Sequence, residues 1–299
     1  MTKVIWTALR FKDFYRLNGQ QTIFVSLKIE FSHVQTTLSF DAKKYTDQQL
    51  MEVRDTLTVE EILNISINGK PYTMTMRTPG DEQDLVRGIL LSENVYVDRD
   101  TDPVMQITEK NEKQFITAIH VAIPPEKIGS GIESQRNLVS VSSCGMCGKS
   151  EMELALEGEV IKPNHKLRIS LIPDMFAQMR RQQNTFDSSG GSHASAAFTA
   201  TGELMSIRED IGRHNCVDKV IGSLLMQRKL HQAHCLLVSG RLSYEIVSKC
   251  FRARIPFLAA VSAPSSMAIE YCEKTGITLL GFCRDQKCTV YTCFDNIEV

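Results

Sequence analysis

The clearest indication of the fold is the stretch Cys235-Leu236-Leu237-Val238-Ser239-Gly240-Arg241, in which an apolar run precedes a small polar loop. A short apolar run that is followed by glycine is typical of a buried strand. Ser243 is placed to cap a following helix, which must end before Pro256. Residues 257–261 form the next apolar run. Strand, helix and strand follow one another here, which predicts an α/β layered domain.

Alternating elements continue on both sides of this unit. Further strands are predicted at residues 196–199, 204–208, 277–282 and 289–292. Further helices are predicted at residues 213–230 and 265–276, the second with Ser265 as its cap and Gly276 at its end.

The N-terminal half of the chain has weaker patterns. Asn68-Gly69 lies between two alternating runs and predicts a β-hairpin. Asp81 is predicted to cap a helix, residues 114–123 to form a strand, residues 173–183 a helix, and residues 184–191 a loop. We therefore predict three parts: an N-terminal extension of unknown role (1–56), an N-terminal subdomain (57–183) and an α/β cofactor-binding core (184–299).

Composition indicates the general class of the protein. The 299 residues are 42% hydrophobic and 23% charged, which is ordinary for a globular protein, and the net charge of −1 argues against nucleic-acid or polybasic membrane binding. The first ten residues lack the long apolar core of a signal peptide. Nine cysteines, mostly scattered through apolar segments, suit reduced thiols better than a disulfide framework. We expect a cytoplasmic protein.

The subdomain of residues 57–183 contains a Cys-x-x-Cys pair, Cys144 and Cys147, with a glycine after each cysteine. These glycines remove side-chain cover, so the pair is expected on an open loop. Lys149 follows at once, and residues 150–153 have the form of a capping box that opens a helix at 151–156. A cysteine ahead of a helix start and near a lysine favours the thiolate, the nucleophilic form of sulfur.

The pair has three alternative interpretations. A structural zinc needs about four ligands, and the nearest further cysteines, Cys283 and Cys288, are far away in sequence. A thioredoxin-like exchanger would place its pair at a strand end in a βαβ pattern, which is missing here. Two free structural cysteines would not need flanking glycines. These observations weaken the zinc, thioredoxin-like and structural interpretations, and a pair that carries sulfur stays open beside them.

Three loops after predicted strands form a candidate anion site, because ligands of α/β sheets collect at strand carboxyl ends. They comprise residues 239–241, 262–265 and 282–287, and they include the cations Arg241, Arg284 and Lys287. Arg213 and His214 lie at a predicted helix start, another place where phosphate binds. A charged helix end with a satisfied histidine explains this cluster equally well, and His193 has the same ambiguity.

Seven short motifs follow one another along the chain: Arg77-Thr78-Pro79-Gly80-Asp81, Ser143-Cys144-Gly145-Met146-Cys147-Gly148, Gly190-Gly191-Ser192-His193, Glu209-Asp210-Ile211-Gly212-Arg213-His214-Asn215, Val238-Ser239-Gly240-Arg241, Ala263-Pro264-Ser265-Ser266 and Gly281-Phe282-Cys283-Arg284. Together they resemble the motifs of the FdhD family, the formate dehydrogenase accessory sulfurtransferases. The resemblance covers roughly residues 57–291, with the motifs in the expected order.

The resemblance implies a three-layer α/β/α, cytidine-deaminase-like core with a smaller N-terminal α+β subdomain, in a homodimer. It implies a sulfurtransferase with chaperone character that takes persulfide sulfur from a cysteine desulfurase. Cys144 would carry the sulfur and Cys147 would relay it to bis-molybdopterin guanine dinucleotide (molybdenum or tungsten), the bound acceptor destined for the formate dehydrogenase catalytic subunit. No metal of its own is expected. The cofactor-binding residues would be Phe282, Cys283, Arg284, Asp285, Gln286, Lys287, Gly240, Arg241, Arg213 and His214.

Two other functions stay open at this point. One is a cofactor-binding chaperone that needs no sulfur chemistry, and the other is a zinc-binding module. The sequence also departs from the family pattern at Cys216 and Cys272, where alanine is expected.

Overall fold

The computed structural model describes residues 34–132 and 158–299. Cys144, Cys147 and the helix predicted at 151–156 lie outside the described residues. The strands are β1 (Thr37–Thr46), β2 (Gln49–Thr58), β3 (Glu61–Ile67), β4 (Lys70–Arg77), β5 (Val104–Lys110), β6 (Ile116–Ala122), β7 (Leu167–Arg168), β8 (His193–Phe198), β9 (Leu204–Asp210), β10 (Cys235–Val238), β11 (Phe257–Ala260), β12 (Thr278–Arg284), β13 (Lys287–Val290) and β14 (Ile297–Glu298). The helices are α1 (Glu82–Ser92), α2 (Ile172–Arg181), α3 (Asn184–Ser189), α4 (Arg213–Met226), α5 (Tyr244–Ala253) and α6 (Ser266–Thr275).

The larger sheet has six strands in the order β13-β12-β11-β10-β8-β9. Strands β10, β11 and β12 are parallel, whereas β8, β9 and β13 pair antiparallel to their neighbours. Every residue of β10 and β11 is buried, because parallel strands at the centre of a sheet are covered on both faces. The strands predicted from the two apolar runs are confirmed.

Helices cover both faces of the larger sheet. Apolar residues of α4, α5 and α6 share one core cluster with Leu236, Leu258 and Leu279 of the sheet. Helix α2 packs on the opposite face, in a second cluster with Leu237 and Phe257. Neighbouring residues of a strand point to opposite faces, so the two clusters lie on the two sides of the sheet. The predicted α/β/α layering is confirmed.

A smaller sheet, in the order β4-β3-β6-β5, packs against α1 in a separate core cluster. Its hairpin turns at Asn68 and Gly69, whose φ angles of 48° and 80° are those of a tight two-residue turn. The hairpin and the α+β character of this part are therefore as predicted.

Helices α1 and α4 cross in very close contact and so join the two parts of the chain. A Cβ atom on Gly88 would lie 1.9 Å from the carbonyl oxygen of Asp218, and one on Gly222 would lie 1.8 Å from that of Asp84. The two backbones approach this closely because both crossing positions are glycine.

Four local predictions are corrected. Strands β1 and β2 form a hairpin, mostly within the extension 1–56 for which no hairpin is predicted, and its side chains are mostly exposed. Residues 184–189 form helix α3 rather than a loop. The side chain of Asp81 makes no capping bond to α1; Asp81 has a φ of 57° and its carboxylate contacts Arg208 at 3.3 Å. Helix α4 ends at Met226, two residues before Arg228 with its φ of 59°. Within residues 34–132 and 158–299, no helix is long and apolar enough to span a membrane.

Candidate anion-binding site at the strand ends

The three loops predicted to bind a ligand form one continuous edge of the larger sheet. Leu242 donates its backbone N–H to the carbonyl oxygen of Ala263 at 3.2 Å, and Ser265 donates to Leu242 at 2.9 Å. Phe282 in turn donates to the carbonyl of Ser262 at 3.2 Å. Backbone hydrogen bonds thus connect the segments that follow β10 and β11 with the end of β12.

Strand β8 begins at the same edge because it runs antiparallel to β10. The Ala194 N–H donates to Ser239 Oγ at 2.9 Å, and His193 Nδ1 lies 3.5 Å from the same oxygen. A Cβ atom on Gly240 would lie 3.5 Å from both His193 Nδ1 and Arg213 Cδ. We define the edge cluster as His193, Arg213, His214, Ser239, Gly240 and Glu245.

A buried carboxylate fixes the start of α4 beneath this edge. Asp210 Oδ2 contacts Lys219 Nζ at 2.8 Å and accepts the N–H of Thr78 at 3.1 Å. Its Oδ1 accepts from Gly212 N at 2.8 Å and from Asn215 Nδ2 at 2.9 Å. Lys219 also donates to the carbonyl of Thr78 at 2.9 Å. We define Thr78, Asp210, Asn215 and Lys219 as the Asp210 network, which binds the smaller part of the chain to the helix start.

Glu209 also has a structural role. Its carboxylate accepts the N–H groups of Thr185 and Phe186, both at 2.8 Å, and the hydroxyl of Ser192 at 2.8 Å. These are first-turn donors of α3, which a carboxylate satisfies. Within the cluster 209–215, Glu209, Asp210 and Asn215 therefore stabilise the fold, and Arg213 and His214 belong to the edge cluster.

The edge cluster contains polar atoms without internal partners. Among the described residues, Arg213 Nε and His214 Nε2 are buried and have no hydrogen-bond partner. The nearest carboxylate oxygen to His214 Nε2, on Glu245, is 3.9 Å away, beyond hydrogen-bonding distance. Such atoms are costly to bury unless a ligand or water satisfies them.

The electrostatics of the edge cluster keep its histidines neutral. Burial, followed by the charges of Lys249 and Arg213, lowers the pKa of His214 to about 4. Burial and Arg213 also lower the pKa of His193. The positive charge at this edge therefore comes from Arg213 and from the exposed Arg241, rather than from imidazolium groups.

Three helices begin at the edge with their backbone donors directed toward it. Ser265 caps α6 by accepting the N–H of Ala268 at 3.2 Å. Gly212 has no side chain that could cap α4, and the predicted cap of α5 by Ser243 is wrong, because the Ser243 side chain accepts no hydrogen bond from the helix start. Uncapped helix starts beside Arg213 and Arg241 are suited to phosphate oxygens.

The predicted cofactor-binding residues fall into three positions. Gly240, Arg241, Arg213 and His214 come together at the edge. Phe282 lies at the end of β12 and is 42% exposed, whereas Cys283 is only 3% exposed and faces the core below the sheet. Residues 284–287 form the exposed β12–β13 turn, beside a hollow of about 180 Å³ that Ile172 and Pro173 also line. The binding roles of all ten stay predictions.

Sequence patterns missed one member of the edge cluster, Glu245, and left His193 undecided. Glu245 lies in the first turn of α5, shortly after the Ser239-Gly240-Arg241 loop. This short separation in sequence could have indicated that Glu245 belongs to the cluster. The contact of His193 with Ser239 depends on strand pairing and has no local signature. In residues 34–132 and 158–299, no three His, Cys, Asp or Glu side chains group to bind a metal ion.

The fold and the site together define a class of protein, a three-layer α/β protein with a cationic edge on its larger sheet. Two helices, α4 and α5, begin at that edge without a capping side chain from the residue before them. The FdhD/NarQ family model matches residues 58–298, and the chain belongs to that family.

The matches to similar proteins cover more than four fifths of the chain. The sulfur carrier protein FdhD of Streptomyces coelicolor is 40% identical over 253 residues, which cover 82% of this chain and 90% of the relative. That of Sulfolobus acidocaldarius is 40% identical over 259 residues, or 86% and 96%. A solved structure assigned as a formate dehydrogenase accessory protein from Desulfotalea psychrophila has a TM-score of 0.69 at 19% identity, and covers 88% of this chain and all of its own. This last similarity supports the fold.

Proposed function

We propose that the chain is a sulfur carrier for formate dehydrogenase. The observation that carries this proposal is 40% identity to relatives named sulfur carrier protein FdhD, over 90% and 96% of their length. In the proposed cycle, a Cys144 thiolate attacks the outer sulfur of a cysteine desulfurase persulfide. The donor leaves as its thiolate, and Cys144 then holds the sulfur as a persulfide, with Cys147 as relay. Transfer to the acceptor regenerates the Cys144 thiolate.

The proposed acceptor is bis-molybdopterin guanine dinucleotide, with molybdenum or tungsten as part of this cargo. Its phosphates are anionic, and the edge cluster offers Arg213, Arg241 and the uncapped starts of α4 and α5. The unpartnered Arg213 Nε is a donor that an acceptor oxygen would satisfy. We further propose that the carrier works as a cytoplasmic homodimer that passes the loaded cofactor to the formate dehydrogenase catalytic subunit.

Mass spectrometry after incubation with a cysteine desulfurase and cysteine tests the sulfur step. The unmodified chain and the control Cys293→Ser should each gain one sulfur atom that reduction removes. Cys144→Ala combined with Cys147→Ala should gain none and should abolish formate dehydrogenase activity in the host. A double variant that still gains the sulfur, or that supports full activity, would contradict the proposal.

A second candidate is a cofactor-binding chaperone that uses no sulfur chemistry. The edge cluster favours it, since its cationic and backbone donors do not depend on either thiol. The same double variant separates the two functions. A carrier loses host activity while keeping guanosine diphosphate binding, whereas a chaperone retains both.

A further inference from the structure

The β12–β13 hairpin holds two cysteines on one face. Its two-residue turn at Asp285 and Gln286, with φ angles of 52° and 59°, pairs Arg284 with Lys287. The next residues back from this pair are Cys283 and Cys288. Both side chains contact the core cluster below the sheet, Cys283 as a buried member and Cys288 as a partly buried one.

The backbone geometry brings these two residues to a distance at which they can be linked. Arg284 and Lys287 are paired across the turn, so Cys283 and Cys288 each lie one residue from a paired position on neighbouring strands. Neighbouring strands lie about 4.7–4.9 Å apart, and disulfides span roughly 4.4–6.8 Å between Cα atoms.

The hairpin has a bulge beside Cys283. The register shifts between Gly281, which pairs with Thr289, and Arg284, so Phe282 and Cys283 both face Cys288. Phe282 takes the left-handed conformation there, with a φ of 53°. Each thiol is close enough to the other to influence its pKa.

We propose that Cys283 and Cys288 form a reversible dithiol–disulfide pair that reacts with low-molecular-weight disulfides. The Cys288 thiolate attacks one sulfur of the small disulfide, whose S–S bond breaks and releases one thiol. Cys283 then loses its proton to solvent and attacks the Cys288 sulfur, which releases the second thiol. The two cysteines are oxidised to one disulfide, and the small disulfide is reduced to two thiols.

The difference in exposure assigns the order of attack. Cys288 is partly exposed, whereas Cys283 is 3% exposed, so an incoming reagent reaches Cys288 first. Burial raises the pKa of Cys283 to about 12, and it also raises that of Cys288. The thiolate fraction at pH 7 is therefore small, and exchange is expected over minutes to hours.

A disulfide between Cys283 and Cys288 would stabilise the base of the exposed β12–β13 turn. Among the strands that the structure describes, β13 is the outermost of the larger sheet and pairs with β12 alone. A covalent link between Cys283 and Cys288 would hold its first residues against β12. This chemistry belongs to the hairpin itself and does not depend on the proposed sulfur-carrier function.

Peptide mapping of the full chain tests the pair. Trypsin cleaves after Arg284 and Lys287, so Cys283 falls in the peptide 275–284 and Cys288 in the peptide 288–299. The reduced protein is incubated with glutathione disulfide, alkylated and digested. We expect the two peptides to be joined, with a mass two hydrogen atoms below their reduced sum, and to separate again on reduction.

Variants assign the bond, because the second peptide also contains Cys293. Cys293→Ser should retain the joined peptides and Cys288→Ser should lose them, with circular dichroism confirming that both are folded. The proposal is overturned if Cys283 is alkylated throughout in the unmodified chain, if Cys288 stops at a mixed disulfide with glutathione, or if Cys288→Ser still joins the peptides. The first two outcomes need no variant.

Discussion

The Asp210 network and the edge cluster lie on two sides of the same helix start, and they differ in how their polar groups are satisfied. The Asp210 carboxylate accepts three hydrogen bonds and contacts Lys219 at 2.8 Å, all within the chain. Among the described residues, Arg213 Nε and His214 Nε2 find no such partner.

This difference separates structural from ligand-facing polar groups. Most buried polar groups are paired, because an unpaired one costs about 1–3 kcal/mol, although Arg77 Nε and His234 Nε2 are further exceptions in the described chain. The unpaired groups of the edge cluster are candidates for ligand contact because they also lie beside helix starts at a strand edge, and both kinds of residue come from one sequence motif, 209–215. Substitutions in the two regions should accordingly affect different quantities.

The largest expected effect on stability is that of Asp210→Asn. It leaves the buried Lys219 ammonium without its counter-charge, and breaking a buried ion pair costs about 3–5 kcal/mol. Urea unfolding followed by circular dichroism measures this loss. Asp187→Asn is the matched control, because the Arg180–Asp187 pair has side chains 52% and 53% exposed and should contribute less than about 1 kcal/mol. Equal losses in both variants would show that the Asp210 network is not structural.

The next effect is a pH dependence of stability due to His214. Its pKa of about 4 in the folded state lies below the ordinary 6.5, so between these values the unfolded chain binds more protons. The free energy of unfolding therefore falls as the pH decreases below about 6.5, by about 2 kcal/mol at pH 5 from this side chain. His193 and His234 act in the same direction.

Urea unfolding at pH 7 and pH 5 measures this dependence. In His214→Gln the loss between the two pH values should be smaller by about 2 kcal/mol, because glutamine does not titrate. An exposed control, His231→Gln, should lose as much as the unmodified chain. If the free energy of unfolding depended on pH in His214→Gln as it does in the unmodified chain, the imidazole would be as accessible to protons in the folded state as in the unfolded chain.

Local sequence features predicted the elements whose cause is local. The Asn68-Gly69 turn, the β10 and β11 runs, and α6 between Ser265 and Gly276 each carry their own turn, apolar or capping residues. The layering of the core follows from the order of these elements. These parts of the fold could therefore be predicted from the chain alone.

The missed features depend on residues distant in sequence. Helix α3 is short, and its first N–H groups are satisfied by Glu209, more than twenty residues away. The β1–β2 hairpin was missed because exposed strands carry little alternation of burial. In the edge cluster, the contacts of His193 with Ser239 and of Gly240 with Arg213 arise from strand pairing, which no local pattern contains.

The smallest expected effect on stability is that of Arg213→Ala, and it distinguishes the two regions most sharply. Removing a side chain whose Nε has no partner in the described chain breaks no hydrogen bond of that atom, so it should not lower the free energy of unfolding by more than about 0.5 kcal/mol. Affinity for guanosine diphosphate, measured by calorimetric titration, should nevertheless fall about ten-fold or more, because a charge-assisted hydrogen bond contributes about 1.5–3 kcal/mol. Arg181 is an exposed arginine on α2, and Arg181→Ala should leave both quantities unchanged.

If Arg213→Ala destabilised the fold as Asp210→Asn does while nucleotide affinity stayed constant, the edge cluster would be a second structural network. Stability unchanged with affinity lost would identify the unpaired donors as the ligand-facing side of the helix start.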